Sequence, residues 1–409
     1  MHPLLVFMIC ILIADAIFEF VLDVLNLKSL KPDLPAEAKD IYDAEKYKRS
    51  QEYYRTNQRF SWISSVPVLV LTLIILGTGG FGWLDAFLRN TTSHPVYLAL
   101  LFFGTLMIAS GIFGIPFQLY KIFVIEEKYG FNTMTLKTFI LDKIKGMLIG
   151  SILGGLILSL LVFIYLRTGA YFWILAWGVV AAFLLFATMF YASWILPLFN
   201  RLIPLPEGEL RTAIEEYSRK AGFQLNNIFV MDGSKRSAKA NAFFSGLGKK
   251  KKIVLFDTLI QKHTTAELLA VLAHETGHYQ LKHTRTGLAL SLFQTGLMFF
   301  LLSFFLGNKD LALALGATEP SFHLNILAFG ILYSPVSNVM SIFMNRISRK
   351  HEFEADAFAG KTNDAGQLIA ALKKLSADNL SNLTPHPAYA YVHYSHPPLL
   401  ERLKALQSN

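Results

Sequence analysis

Seven stretches of this chain are apolar for long enough to cross about 30 Å of hydrocarbon, and that limits the fold more than any motif does. They lie near 4–26, 62–88, 96–120, 147–166, 170–197, 286–306 and 322–345. Water would not tolerate so much apolar surface: of 409 residues 53% are hydrophobic and only 16% charged, and mean hydropathy is +0.41. The expectation is a polytopic membrane protein whose crossing segments are helices, because runs of this length satisfy their own backbone in lipid only as helices. The first run could be mistaken for a secretory leader. It lacks a basic n-region and a small-residue cleavage site, and it carries Asp15, Glu19 and Asp23, so it is read as a span.

Charge in the connections sets the orientation. Segment 27–61 holds Lys28, Lys31, Lys39, Lys46, Lys48, Arg49, Arg55 and Arg59, whereas 89–95 holds only Arg89. Segments 121–145 and 198–285 are again rich in lysine and arginine; the turn near 167 and segment 307–321 offer one basic residue each, Arg167 and Lys309. The positive-inside rule therefore places connections one, three and five and the C-terminus in the cytoplasm, with the N-terminus outside. The net charge of 38 minus 29, or +9, serves orientation and attraction to anionic lipid. No nucleic-acid-binding motif accompanies it, so no nucleic-acid partner is expected.

Asp15, Glu19 and Asp23 recur every four residues and form one acidic stripe on the first helix. Carboxylates at membrane depth face protein or water, so the stripe either pairs with neighbouring spans or lines a hydrated chamber.

The fifth connection is long enough for a small domain. Residues 207–223 read as an amphipathic helix ending at Gly222. Strands are expected at 228–233, 241–246 and 252–257, with GLGKKKK as a hairpin connection. The TTAE string at 264–267 is a capping box, which puts the following HETGH inside a helix. His274 and His278 then project from one face a turn apart, where they can ligate one ion, and Glu275 lies beside them where it can take a proton from an attacking water. The one cysteine, Cys10, sits in the first span, so a metal here must use His, Asp or Glu. A hydrolytic zinc site needs a third protein ligand. SRKHEFEADAFAG, residues 348–360, supplies candidates just beyond the last span: Glu352, with Glu354 and His351 not excluded by spacing, and Asp356 placed to accept the free imidazole N–H of a ligand histidine.

HETGHYQLKHT, followed across one span by SRKHEFEADAFAG, resembles the integral-membrane CAAX prenyl protease family, the a-factor-converting type of zinc metallopeptidase. PAEAKDIYDAEKYKRSQEY (35–53), FVIEEKYGFN (123–132), SKRSAKANAFFSG (234–246), KIVLFDTLI (252–260) and YSHPPLLERLKAL (394–406) are also similar to segments of that family. The resemblance implies an all-α polytopic fold of seven long helices enclosing a water-filled chamber, capped by a cytosolic zincin-like α+β protease domain. It implies one Zn2+ on His274, His278 and Glu352, Glu275 as general base, and Asp356 behind a ligand histidine. It implies a substrate-holding edge strand at Asn241, Ala242 and Phe243, and His396 and Arg402 near the metal, His396 as donor to the developing oxyanion and Arg402 on the substrate. One departure is AKAN where the family commonly has a His-Ser-Asn string, which sets Lys239 beside the strand.

The expected division is 1–200 for five spans and their connections, 201–285 for the protease subdomain, 286–345 for two spans, and 346–409 for the cytosolic C-terminal part. The intact HExxH with a distant glutamate argues against a non-catalytic scaffold, and the absence of evident repeats against a transporter. The expected activity is zinc-dependent peptide hydrolysis by a monomer on peptide or protein substrates, prenylated or membrane-inserted. The ending KALQSN, without a retrieval signal, leads to the expectation of a bacterial inner-membrane protein serving membrane-protein quality control.

Overall fold

The computed structural model describes residues 1–31, 33–36, 39–220, 227–246 and 252–408. Numbered in chain order, its helices begin with α1 (Pro3–Lys28), α2 (Ala44–Gly77), α3 (Gly80–Arg89), α4 (Pro95–Tyr120), α5 (Leu136–Thr168), α6 (Phe172–Phe190) and α7 (Glu209–Lys220). They continue with α8 (Asp257–Lys262), α9 (Thr265–Gln280), α10 (His283–Phe305), α11 (Lys309–Ala314), α12 (Phe322–Thr362), α13 (Ala365–Asp378), α14 (Pro387–His393) and α15 (Leu399–Ser408).

Among the described residues six helical runs are long and apolar enough to cross a membrane. One of them, 136–198, has 63 residues, or about 95 Å if straight, three bilayers' worth. It turns back at Gly169, whose φ of +51 suits glycine, and α5 and α6 pack against each other. Among the described residues seven helices are therefore long and apolar enough to cross. Leu148, Ile152 and Leu156 on α5 are 59, 60 and 66% exposed, an outward apolar stripe that only lipid accommodates. A solid bundle would hide one whole face of every helix, yet only 6–17% of the residues in the apolar windows of these runs are buried. The helices stand around a hollow.

Several boundaries differ from those expected. The second span is not 62–88: α2 ends at Gly77, and Gly79, at φ +71, turns the chain into the separate helix α3. The basic segments 27–61 and 121–145 are largely helical, since α2 starts at Ala44 and α5 at Leu136. Hydropathy marks only the apolar part of a helix, and good helix formers carry the hydrogen-bond ladder on into water. The boundary expected at 345/346 falls inside α12, whose 41 residues run about 60 Å, twice the hydrocarbon thickness.

The basic connections share one face of the molecule. Arg236 donates from Nε and Nη2 to both carboxylate oxygens of Asp142 at 2.7 and 2.9 Å, tying the fifth connection to the third. Tyr42 Oη donates to the Ser376 carbonyl at 2.7 Å, tying the first to the C-terminal part. At the other end Arg89 meets Glu319 at 3.0 Å, and a Cβ on Gly82 would stand 2.0 Å from the Gly316 carbonyl carbon.

The acidic stripe finds protein partners on three elements. Asp15 accepts from Ser334 Oγ and Asn338 Nδ2 of α12, Glu19 lies 3.2 Å from His393 Nε2 of α14, and Asp23 accepts from Trp62 Nε1 of α2.

The strands are β1 (Leu202–Pro204), β2 (Ile228–Met231), β3 (Ala242–Ser245) and β4 (Lys252–Phe256), in the order β1-β2-β4-β3. β2 and β4 are parallel and the outer pairs antiparallel, with Ala242 opposite Leu255 and Phe243 opposite Val254. β1 was not expected, three residues ending in proline being too short to show alternation. Ile253, Val254 and Leu255 are all buried because β4 is covered on both faces. Ile214 of α7 with Leu268 and Leu272 of α9 covers one face; Ala192 and Leu196, just beyond α6, cover the other. β3 is left at the edge. The expected hairpin connection and Gly222 lie outside the described residues, apart from the connection's first and last residues.

Candidate metal centre

The capping box forms as expected: Thr264 Oγ1 accepts from Glu267 N at 3.2 Å, and Glu267 Oε2 from Thr264 N at 2.9 Å. From that start α9 carries His274 and His278 on one face. Its approach to α12 uses small residues. Ala273 and Ala355 are fully buried, and a Cβ on Gly277 would come within 3.0 Å of Ala355 Cα and 3.1 Å of the Ala355 carbonyl oxygen. That close contact sets Glu352, on the protruding half of α12, against the two histidines.

His274 Nε2 and His278 Nε2 stand 3.2 Å apart, His278 Nε2 and Glu352 Oε1 3.2 Å, and His274 Nε2 and Glu352 Oε2 3.5 Å. Ligands held about 2.0–2.1 Å from a tetrahedral ion are about 3.3–3.4 Å apart, so the triangle has the size a metal requires. Glu352 is 3% exposed. Burial alone would raise its carboxyl, but His274, His278 and His396 hold it well below the usual carboxylate range. Burial pulls His274 down, yet Asp356 and Glu352 outweigh it and push it up to about 9. A metal bound there would displace a proton from this imidazole.

Asp356 Oδ1 lies 2.8 Å from His274 Nδ1, the nitrogen turned away from the triangle. Arg402, reached from α15, is 8% exposed and donates from Nε and Nη2 to both oxygens of Asp356 at 2.8 and 2.6 Å. Its Nη1 is 3.4 Å from Glu352 Oε2. The guanidinium expected on the substrate is thus engaged on these two carboxylates. His396 Nδ1 is 2.9 Å from Glu352 Oε2, with its side chain 67% exposed.

A cavity of about 1390 Å³ opens over the centre, lined by Glu275, His274, Asn241, Ala242, Phe243 and Tyr53 among others. Burial pushes the Glu275 carboxyl above its ordinary range, against the lowering pull of His274 and His278. The edge strand β3 therefore runs along the same space as the candidate base. Asn241 is exposed just ahead of it, its Oδ1 accepting from Ala242 N at 2.9 Å. Lys239, the departure beside the strand, has its charge answered: Nζ is 3.1 Å from Glu126 Oε2 and donates to Tyr53 Oη at 2.7 Å.

His283 has a place that the spacing does not reveal. α9 ends at Gln280, and Lys282 takes the left-handed conformation, φ +62, which turns the chain so that His283 Nδ1 comes 3.0 Å from His278 Nδ1. A left-handed lysine leaves no mark in a sequence.

Residues 23–201 match the family description "CAAX prenyl protease N-terminal, five membrane helices", and residues 204–409 match "Peptidase family M48". A CAAX prenyl protease 1 homolog of Oryza sativa is 37% identical over 99% of this chain and 97% of its own length. A homolog from Homo sapiens is 35% identical over 92% of this chain and 89% of its own. The crystal structure of S. mikatae Ste24p superposes with a TM-score of 0.94 at 33% identity, covering 99% of both chains. These relatives are eukaryotic and lend no support to the expected bacterial source.

Proposed function

Because the chain belongs to peptidase family M48, carrying the CAAX prenyl protease N-terminal membrane region, we propose that it hydrolyses extended C-terminal peptides of lipid-anchored or membrane-inserted proteins at the centre of His274, His278 and Glu352. Membrane metallopeptidase activity follows from the family, and relatives bear the name CAAX prenyl protease. The observation that carries the residue assignment is the ligand triangle of 3.2, 3.2 and 3.5 Å, facing a cavity that the edge strand β3 also lines.

Zinc suits two imidazoles and a carboxylate, and when bound it would supply Lewis acidity, acidifying water and polarising the scissile carbonyl. Glu275 takes the proton of the attacking water and delivers it to the leaving amine; burial has raised its basicity for that task. Asp356 accepts a hydrogen bond from His274 Nδ1–H, which fixes the proton there and keeps Nε2 free for the ion, while Arg402 holds Asp356 in place. His396 donates to the developing oxyanion. The substrate adds to β3 as a further strand, its main chain bonded to the edge beside Ala242 and Phe243, with Asn241 at the entrance. One chain supplies every residue named, which supports action as a monomer. The clustering of the basic connections with the sheet supports a cytosolic active site.

The test is Glu275→Gln in the full chain. It should retain about one zinc per chain and lose peptide hydrolysis by roughly 10²–10⁴-fold, since the ligands remain and the base does not. Undiminished hydrolysis of a farnesylated CAAX peptide by that variant would rule out the assigned base.

A further inference from the structure

The edge strand β3 opens at its two ends into two different cavities. Ala242 and Phe243, with Asn241 ahead of them, line the large cavity over the metal centre, whereas Ser245 and Gly246 line a second one of about 240 Å³ beside Thr188 of α6 and Tyr191. Glu275 and His278 line both, which puts the bond to be cut between the two. The large cavity also holds a cation that the metal centre does not use. Of the Lys, Arg, Asp and Glu side chains lining it among the described residues, Glu275 and Glu352 belong to the centre and Arg402 is engaged on Asp356 and Glu352; Lys121, just beyond α4, remains.

Around Lys121 the charges do not cancel. Its Nζ has Glu126 Oε1 in reach at 3.4 Å, but that oxygen already accepts from Tyr53 Oη at 2.7 Å, and Lys239 Nζ takes Oε2 at 3.1 Å. Two ammoniums share one carboxylate, and among the described residues no other carboxylate pairs with either lysine. Lys239 is further held over the Phe131 ring, 4.4 Å from its centroid, so Lys121 is the one left to face the cavity.

We propose that Lys121, with Lys239 behind it answering Glu126, anchors the free C-terminal carboxylate of the peptide on β3. This rests on the peptidase reading and names what that same site recognises. Lys239 precedes Asn241, so the anchor lies off the first end of β3, and a peptide whose C-terminus reaches it runs antiparallel to the strand, the commoner pairing. Residues before the scissile bond then pass Ser245 and Gly246 toward α6, a membrane-crossing helix, where a membrane-held remainder of the substrate continues. Lys239 stands three residues before Ala242, a stretch that an extended peptide of equal length covers in about 10 Å. The anchor therefore measures the cut from the C-terminus, and an ammonium, as a point charge, makes no demand on the released side chains.

The zinc-loaded full chain in detergent micelles is given a farnesylated CAAX peptide with a free C-terminus and the same peptide amidated. Wild type should cleave the acid with a kcat/KM roughly 10–100-fold above that of the amide, the span of a hydrogen bond to a charged group. Lys121→Met should treat the two alike to within about twofold, having lost only on the acid, while Lys121→Arg should keep most of the preference. Affinity for the same peptides, labelled at the N-terminus, is measured on Glu275→Gln and should show the preference, and Glu275→Gln/Lys121→Met its loss. Wild type that cuts neither peptide would refute the peptidase reading, and the binding preference would still decide the role of Lys121. Should Lys121→Met fail to fold, Lys239→Met carries the test, because Lys121 and Glu126 then cancel and the preference should collapse. Equal binding and cleavage of acid and amide without substitution, or a preference that survives these variants, overturns the anchor and leaves Lys121 to its pair with Glu126.

Discussion

At Glu352 four side chains converge on one carboxylate: His278 on Oε1, and His274, His396 and Arg402 on Oε2. Glu354, two residues on, projects elsewhere and meets His283 and Lys350. The two glutamates thus predict opposite outcomes. Glu352→Ala should lose the zinc and all measurable hydrolysis, because two imidazoles alone cannot hold the ion. Glu354→Ala should keep that zinc and most of the activity. Metal content of the purified variants checks this, and the reverse pattern would move the ligand by two residues.

Helix packing makes the site. Since a Cβ on Gly277 meets the backbone of Ala355 at 3.0 Å, Gly277→Ala must push α9 and α12 apart by a few tenths of an ångström. Overpacking of this kind costs about 1–3 kcal/mol. The separation also takes Glu352 from the histidines, and small misplacements at reacting groups are costly. Hydrolysis by Gly277→Ala should fall at least roughly tenfold, with a lowered melting temperature; unchanged kinetics would show that the helix contact has slack. The cap of α9 has its own pH dependence. Burial lowers the pKa of His263 below its ordinary 6.5, against the opposing pull of Glu267. The unfolded chain therefore takes up the proton first, so stability is full above pH 6.5 and lost as pH falls toward the folded value. His263→Gln lacks this loss, and its melting temperature should decline less than that of wild type between about pH 7 and 5.5. Parallel curves would assign the acid sensitivity to other groups.

For the whole molecule, the basic connections and the sheet lie on one face and the Arg89–Glu319 contact on the other. In a Cys10→Ser background, cysteines at Ser93 and Lys309 should react with an impermeant reagent from outside. Those at Lys48 and Lys404 should react only from the cytoplasm. Labelling of all four from one side would overturn the seven-helix arrangement. The hollow between the helices explains how a stripe of three acids survives at membrane depth: each has a polar partner, and Glu19 remains exposed beside His393.

What the sequence by itself determined is what depends on neighbours along the chain. Long apolar runs specify crossing helices, TTAE starts α9, the four-residue spacing sets His274 beside His278, and three short β-rich segments become β2, β3 and β4. Even so, hydropathy hid the helical extensions into water and merged α2 with α3, because it measures solvent preference and not the hydrogen-bond ladder. What only the tertiary structure decided depends on residues far apart. Whether Glu352 or Glu354 would stand beside the imidazoles was open to spacing and turned on how α12 lies against Gly277. That Arg402 would clamp Asp356, 46 positions away, and that His283 would fold back beside His278, also followed from packing. Local periodicity sets which face of a helix is apolar, but the depth and rotation at which two such faces meet come from the summed fit of side chains on both, and that sum is written in no single segment.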